Sequence, residues 1–382
     1  MMELKNLFSP GKIGNVQTKN RIVRSATWMA KATAEGYVTE DLIKVFSDLA
    51  DGGTGLIISG YIAVEQSGAA THKMACLYDD SFIPGQKKIV EAVHNFSEVK
   101  IAAQIAHTGN GPFIFGNTNF KPVGPSSMAN LLLKKSCHEL TTEEVRDIIK
   151  KFVNTGRRAY ECGYDMVQIH GSHGYLLSDF VSPLTNKRID EYGGNTQKRS
   201  RILVDIFNQL REEIDKNFPI LIKLNTKDYL QDGLNLNEAK KIAKILIDTG
   251  YDAIEPSSGR YDLKFSNRKT YPSVMIKSEE NQNYFLQNVL KLKPIMKESP
   301  IILQGGVRNP LIMESFLEDN ITDFIALSRP LIYEPNLPNR WKNGDITPPL
   351  CTNCNGCITV AANDTAYCVV KKKADKNKKK RN

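Results

Sequence analysis

Long apolar runs are missing from this 382-residue chain. No stretch approaches the roughly 18 residues that a membrane-spanning helix needs, and the start MMELKNLFSP lacks the basic-then-apolar profile of a secretory leader. A cytoplasmic protein with no membrane contact is expected. Net charge is also scarce outside one place. The formal charge is +9, but the last twelve residues, KKKADKNKKKRN, carry +7 of it and leave the other 370 at +2. A nearly neutral body argues against nucleic acid as a partner, and the lysine run at 371–382 reads as a solvated, disordered tail. Cysteine is sparse over most of the chain: Cys76, Cys137 and Cys162 are scattered and expected to be plain thiols, since a reducing compartment disfavours disulfides. The other four, Cys351, Cys354, Cys357 and Cys368, crowd into eighteen positions and need their own explanation.

With 41% hydrophobic and 24% charged residues the composition is that of a globular protein with a sizeable core. Short apolar or β-branched runs alternate with longer segments of helical spacing. Eight candidate strands lie at 21–28, 55–64, 100–107, 165–171, 220–225, 253–259, 301–307 and 323–329. Between them, segments such as TEDLIKVFSDLADGG and NEAKKIAKILIDTG begin on Thr or Asn caps and end in Gly. Eight such units predict an α/β fold, a (β/α)₈ TIM barrel, with a doubly wound open sheet as the competitor.

Barrels collect their chemistry where strands end and βα loops begin. The unusual residues of this chain cluster there. Gly305 and Gly306 in LQGGV, with Ser328 and Arg329 in LSRP, close strands seven and eight. Glycine backbone N–H groups and a guanidinium fork suit a phosphate; a glycine turn and a surface arginine are the plain alternative. Gln104 and His107 close strand three, where a carboxamide can match the alternating edge of a heteroaromatic ring or simply satisfy the backbone. Lys223, charged within the apolar ILIKLN, could neutralise an electron-accepting ring, form a Schiff base or pair with a carboxylate. In HGSHGY, His170 and His173 can converge two N–H donors on one oxygen, and Tyr175 can supply a proton to a neighbouring carbon. Zinc ligation or structural hydrogen bonding by the histidines stays open on these residues alone.

Taken together, LFSPGKIGNVQTKNRIVRSAT, DLADGGTGLIISGYIAV, AAQIAHTG, HGSHGYLLSDFVSPLTNKRIDEYGGNTQKRSR, LQGGV and SRPLIYEPNLPNRW resemble the Old Yellow Enzyme family of FMN-dependent NAD(P)H:flavin oxidoreductases and ene-reductases. The likeness covers most of residues 4 to 345. It implies that Ser25, Ala26 and Thr27 lie beside the flavin ring with Gly60, that Gln104 bonds its pyrimidine edge, and that Lys223 sits by N1 and the C2 carbonyl. Gly305, Gly306, Ser328 and Arg329 would then hold the FMN phosphate end. His170 and His173 would bind the activating oxygen of the substrate, and Tyr175 would be the proton donor. The implied reaction is ping-pong, with NAD(P)H as reductant and an electron-poor, enone-like alkene or similar small molecule as acceptor.

The chain departs from the family pattern at three places. Many members have Arg where Lys223 stands and Arg where Asn110 stands, and Trp28 replaces a smaller residue near the flavin, where it could narrow the substrate pocket. The expected organisation is an FMN-binding barrel over 1–345, a Cys-rich extension over 346–370 and the basic tail. The extension reads C-x2-C-x2-C-x10-C, which suits an iron–sulfur cluster or zinc. Longer relatives resembling dienoyl-CoA reductase and trimethylamine dehydrogenase carry a [4Fe-4S] cluster here with slightly different spacing, followed by a nucleotide-binding region. A cluster would make a ferredoxin-like donor the natural partner; a homo-oligomer is compatible with the sequence. Two other functions compete: a ferredoxin-linked electron-transfer reductase, and a lysine-dependent barrel aldolase using Lys223.

Overall fold

A computed structural model describes residues 4–69, 73–110, 121–127, 136–261 and 272–379. Eight parallel strands form the centre: β1 (Ile22–Arg24), β2 (Leu56–Ile58), β3 (Lys100–Ala106), β4 (Met166–Gly171), β5 (Ile220–Asn225), β6 (Ala253–Ser257), β7 (Ile302–Leu303) and β8 (Phe324–Leu327). The pairing runs β6-β5-β4-β3-β2-β1-β8-β7, and a bridge between Ile254 and Ile301 brings the two ends together. This is the (β/α)₈ barrel that the apolar runs predict. Every residue of β4, β5 and β6 is buried because helices cover one face and the barrel interior the other.

Alternate strand residues fill the interior. Val23, Leu56, Ile58, Ala102, Met166, Leu221, Ala253, Ile302, Phe324 and Ala326 pack into one cluster, joined by Ile13 from the N-terminal hairpin Gly11–Thr18. The remaining apolar residues pack outward against α1 (Glu40–Asp51), α2 (Ile83–His94), α3 (Thr142–Glu161), α4 (Thr196–Glu213), α5 (Leu236–Thr249), α6 (Leu286–Leu292), α7 (Pro310–Glu318) and α8 (Leu337–Lys342). Their starts follow the expected chemistry. Thr141 and Glu144 form a reciprocal capping box on α3, and Asn235 accepts from two backbone N–H groups of α5.

Three elements differ from expectation, each for a local reason. The run 55–64 breaks after Ile58, because Gly60 passes so close to the Thr27 carbonyl that a Cβ would lie 2.8 Å from its oxygen. Strand seven shrinks to two residues, since Gly305 and Gly306 take left-handed φ of +103° and +81° and leave the sheet. The lysine-rich end, expected to be unstructured, is helical over Val369–Lys379 (α10), with the Lys372 ammonium 4.0 Å from the Tyr367 ring centroid. Lysine is a good helix former, so the charge run did not exclude a helix; residues 380–382 of that run lie outside the described residues. No helix among the described residues is long and apolar enough to cross a membrane.

Candidate active site

Strand register builds the site. Gln104 of β3 stands opposite Gln168 of β4, while His170 of β4, Lys223 of β5 and Glu255 of β6 are consecutive partners across the sheet. Their side chains form one buried network at the C-terminal mouth of the barrel. Gln104 Nε2 donates to Gln168 Oε1 (2.6 Å), Gln168 Nε2 donates to Glu255 Oε2 (2.9 Å), and Lys223 Nζ donates to Glu255 Oε1 (2.6 Å) and to Ser25 Oγ (3.0 Å). Lys223 and Glu255 are 3% and 0% exposed, so each charge depends on the other for compensation. An ammonium held at 2.6 Å by a carboxylate is not poised as a Schiff-base nucleophile, which weighs against the aldolase reading.

His170 and His173 face one another edge to face, with ring centroids 5.1 Å apart. Burial, then the Lys223 charge, pushes His170 down to about 3. Burial, then His170 and Lys223, holds His173 well below the usual imidazole range. Both rings are therefore neutral at working pH, and each carries one N–H. The Ser172 backbone N–H donates to His170 Nδ1 (3.3 Å), which assigns the proton to Nε2. His173 Nε2 lies 2.7 Å from Ser257 Oγ, which also accepts from Gln304 Nε2 (2.9 Å) and so holds the ring in place.

The loop after β4 is pinned on several sides. His173 adopts φ +70° and Gly174 +74°, the Tyr261 N–H donates to the His173 carbonyl (3.0 Å), and buried Arg260 pairs with Asp179 at 2.8 Å. This turn delivers Tyr175 to the cavity at a ring distance of 4.9 Å from His170. Burial first, then Tyr61 and Tyr261, raises the Tyr175 phenol well above its ordinary range, so the proton stays on oxygen until a base as strong as a carbanion takes it.

These groups line one cavity at the mouth of the barrel. Ala26, Thr27, Trp28, Gln104, His170, His173, Tyr175, Lys223, Ser328 and Arg329 all border it, and Trp28 is stacked on Tyr61 at 6.4 Å. A neighbouring cavity lies toward β7 and β8, bordered by Ser25, Gly305, Gly306, Ser328 and Arg329. Gly60 touches neither cavity wall directly in this way; it lets β2 approach Thr27. The expected ring and phosphate residues other than Gly60 thus border two cavities that share Ala26, Lys223, Ser328 and Arg329. Positive φ at both glycines and a lysine beside a carboxamide give a donor set that fits a flavin mononucleotide.

Arg329 borders both cavities and is also engaged by protein oxygens. Its Nη1 donates to the Val274 carbonyl (2.9 Å), to the Asn353 carbonyl (3.2 Å) and to Asn355 Oδ1, so the guanidinium is shared with the C-terminal extension instead of lying open at the surface. The extension itself caps the mouth. Arg308 holds the Pro349 and Cys351 carbonyls, the Ala366 N–H donates to the Met29 carbonyl (2.8 Å), and α9 (Gly356–Ala361) places Cys357, Ile358 and Ala361 on the cavity wall.

The four extension cysteines, expected as an iron–sulfur or zinc site, are neighbours without being assembled. The Cys357 thiol is pushed up to about 11, by burial first and then by Cys351, Cys368 and Cys354, against the pull of Arg329. Yet Cys354 faces solvent, Cys351 Sγ accepts the Asn353 backbone N–H at 3.4 Å, and among the described residues no group of three or more His, Cys, Asp or Glu is gathered to hold a metal. In this arrangement the four thiols are not gathered into a metal site.

Sequence reasoning passed over Glu255, Gln168, Tyr61, Ser257, Gln304 and Tyr261. Glu255 carries the same signal that marks Lys223, a charge inside an apolar strand. The extension residues other than its cysteines gave no signal, because nothing local says that Asn353 and Asn355 meet Arg329 or that Ala366 meets Met29.

Comparison with known proteins adds the following. The model of the NADH:flavin oxidoreductase / NADH oxidase family matches residues 6–347. An NADH oxidase of Thermoanaerobacter brockii is 33% identical over 363 residues, covering 94% of this chain and 54% of that protein. An NADPH dehydrogenase of Clostridium acetobutylicum is 31% identical, covering 86% of this chain and 92% of the other. A solved 2-naphthoyl-CoA reductase in complex with 2-naphthoyl-CoA superposes with a TM-score of 0.86 at 27% identity, over 96% of this chain and 57% of that one. This chain spans about half the length of the first two curated relatives it matches, 54% and 51%.

Proposed function

The chain belongs to the NADH:flavin oxidoreductase / NADH oxidase family, and on that premise we propose that its barrel binds FMN and reduces an activated, enone-like C=C bond with NAD(P)H. FMN, when bound, accepts hydride from the nicotinamide and passes it to the acceptor in two separate half-reactions. Ser25, Ala26, Thr27, Gln104 and Lys223 would hold its ring, and Gly305, Gly306, Ser328 and Arg329 its phosphate end. Gly60 would let the second strand close on that ring.

The neutral histidine pair carries the reading. The His170 and His173 rings border the same cavity as Tyr175, and one N–H from each can donate to a carbonyl or nitro oxygen. That donation stabilises the negative charge that develops as the β carbon is reduced. Tyr175 Oη then moves its proton to the neighbouring carbon, and Tyr61 is in hydrogen-bond contact with that phenol. Trp28 and Tyr61 form an aromatic wall that favours a flat acceptor. The cysteines take part in no step, so NAD(P)H, not a ferredoxin-like protein, is the reductant of this proposal.

The visible spectrum of purified protein titrated with a phenol tests it. A flavin spectrum that develops a long-wavelength band is expected, weakened in His170→Ala and His173→Ala. Tyr175→Phe should slow acceptor reduction by roughly a hundredfold or more while leaving reduction by NAD(P)H unchanged. A colourless protein that takes up no added FMN would end the proposal.

A further inference from the structure

The loop between the first two extension cysteines reaches the phosphate end of the cavity. Asn353, in that loop, is 2% exposed and borders the same cavity as Gly305, Gly306 and Arg329. Its backbone is left-handed, with φ +53°, a conformation that asparagine tolerates better than most residues. Its carbonyl accepts from Arg329, and its Oδ1 lies 3.6 Å from Cys351 Sγ, which fixes the amide with its oxygen toward the thiol. The amide nitrogen, Nδ2, is buried and has no hydrogen-bond partner among the described residues.

A buried donor left unmatched costs about as much as a lost hydrogen bond, so such groups commonly mark a ligand position. Here the neighbouring cation is already occupied, since Arg329 spends Nη1 on three protein oxygens. Its Nη2 reaches Tyr284 Oη at 3.5 Å, so a phosphate in this space shares the guanidinium with protein oxygens and gains from a further N–H donor. We propose that Asn353 supplies one, donating its side-chain amide to the phosphomonoester of FMN, so that the extension completes the cofactor site. This rests on the FMN reading above and adds a residue to it from outside the barrel.

Comparing FMN with riboflavin isolates the phosphate. Both dissociation constants would be measured by flavin fluorescence quenching on apoprotein of the full chain, the Asn353→Asp variant and the Asn353→Gly variant. Asn353→Asp keeps the shape and places a carboxylate against the phosphate; Asn353→Gly removes the amide and keeps the left-handed backbone accessible. Each is expected to weaken FMN by about tenfold or more, the worth of one charge-assisted hydrogen bond, and to leave riboflavin within about twofold. Unchanged FMN affinity in both variants, or an equal loss for FMN and riboflavin, would overturn the assignment. Failure of the unmodified chain to bind either flavin would instead defeat the functional proposal itself.

Discussion

Glu255→Leu is the perturbation that most directly tests how the mouth of the barrel is held together. The Lys223–Glu255 contact at 2.6 Å corresponds to a gross attraction of roughly 6 kcal/mol at an effective dielectric of about 20. Much of that offsets the cost of burying two ions. Removing the carboxylate alone leaves the ammonium buried with only Ser25 Oγ as acceptor at 3.0 Å, a change that typically costs about 3–5 kcal/mol. It also strips Gln168 Nε2 of its acceptor. The double variant Glu255→Leu with Lys223→Met removes both charges and replaces them with apolar volume, so it should regain most of that loss. Urea unfolding of apoprotein, followed by fluorescence of Trp28 and Trp341, reads both values. A double variant whose loss equals the sum of the two single losses would show that the pair is uncoupled and refute the network.

Two further outcomes follow from the same structure. His170, with a folded pKa near 3 against about 6.5 unfolded, adds no pH dependence above pH 6.5; below it the unfolded chain gains a proton that the folded ring refuses. Stability should therefore fall by about 1.4 kcal/mol per pH unit from this residue, roughly 2 kcal/mol between pH 6.5 and 5. Urea titrations at the two pH values should show that share missing in His170→Asn, and an identical acid response in both proteins would contradict the neutral-ring assignment. Gly60→Val, whose Cβ would sit 2.8 Å from the Thr27 oxygen, should cost about 1–3 kcal/mol through overpacking and weaken FMN binding; an unaltered Tm would remove the reason given for that glycine.

The barrel was legible because parallel strands with two covered faces leave uninterrupted apolar runs, and because Gln104, His170 and Lys223 are anomalies within such runs. Glu255 was equally anomalous in AIEPSSG, so it could have been found by asking which charge balances a buried lysine. Strand ends were less legible: the break at Gly60 depends on the Thr27 carbonyl in the segment after β1, and the shortening of β7 on the φ values of Gly305 and Gly306. The cap was not legible at all. Nothing in CTNCNGC says that Asn353 and Asn355 grip Arg329, or that Ala366 ties back to Met29, since those contacts arise only after the barrel has closed. The spacing of four thiols suggested a metal, whereas the fold turns one of them to solvent.

One guanidinium, that of Arg329, borders the cavity beside Gly305 and Gly306 and also holds the Asn353 and Asn355 loop of the extension. Two occupants of a single hand cannot be energetically indifferent to one another. On the proposed FMN site, whatever tightens the grip on one side would alter it on the other by an equal free energy, and loading of the cofactor and seating of the cap would be reciprocal events.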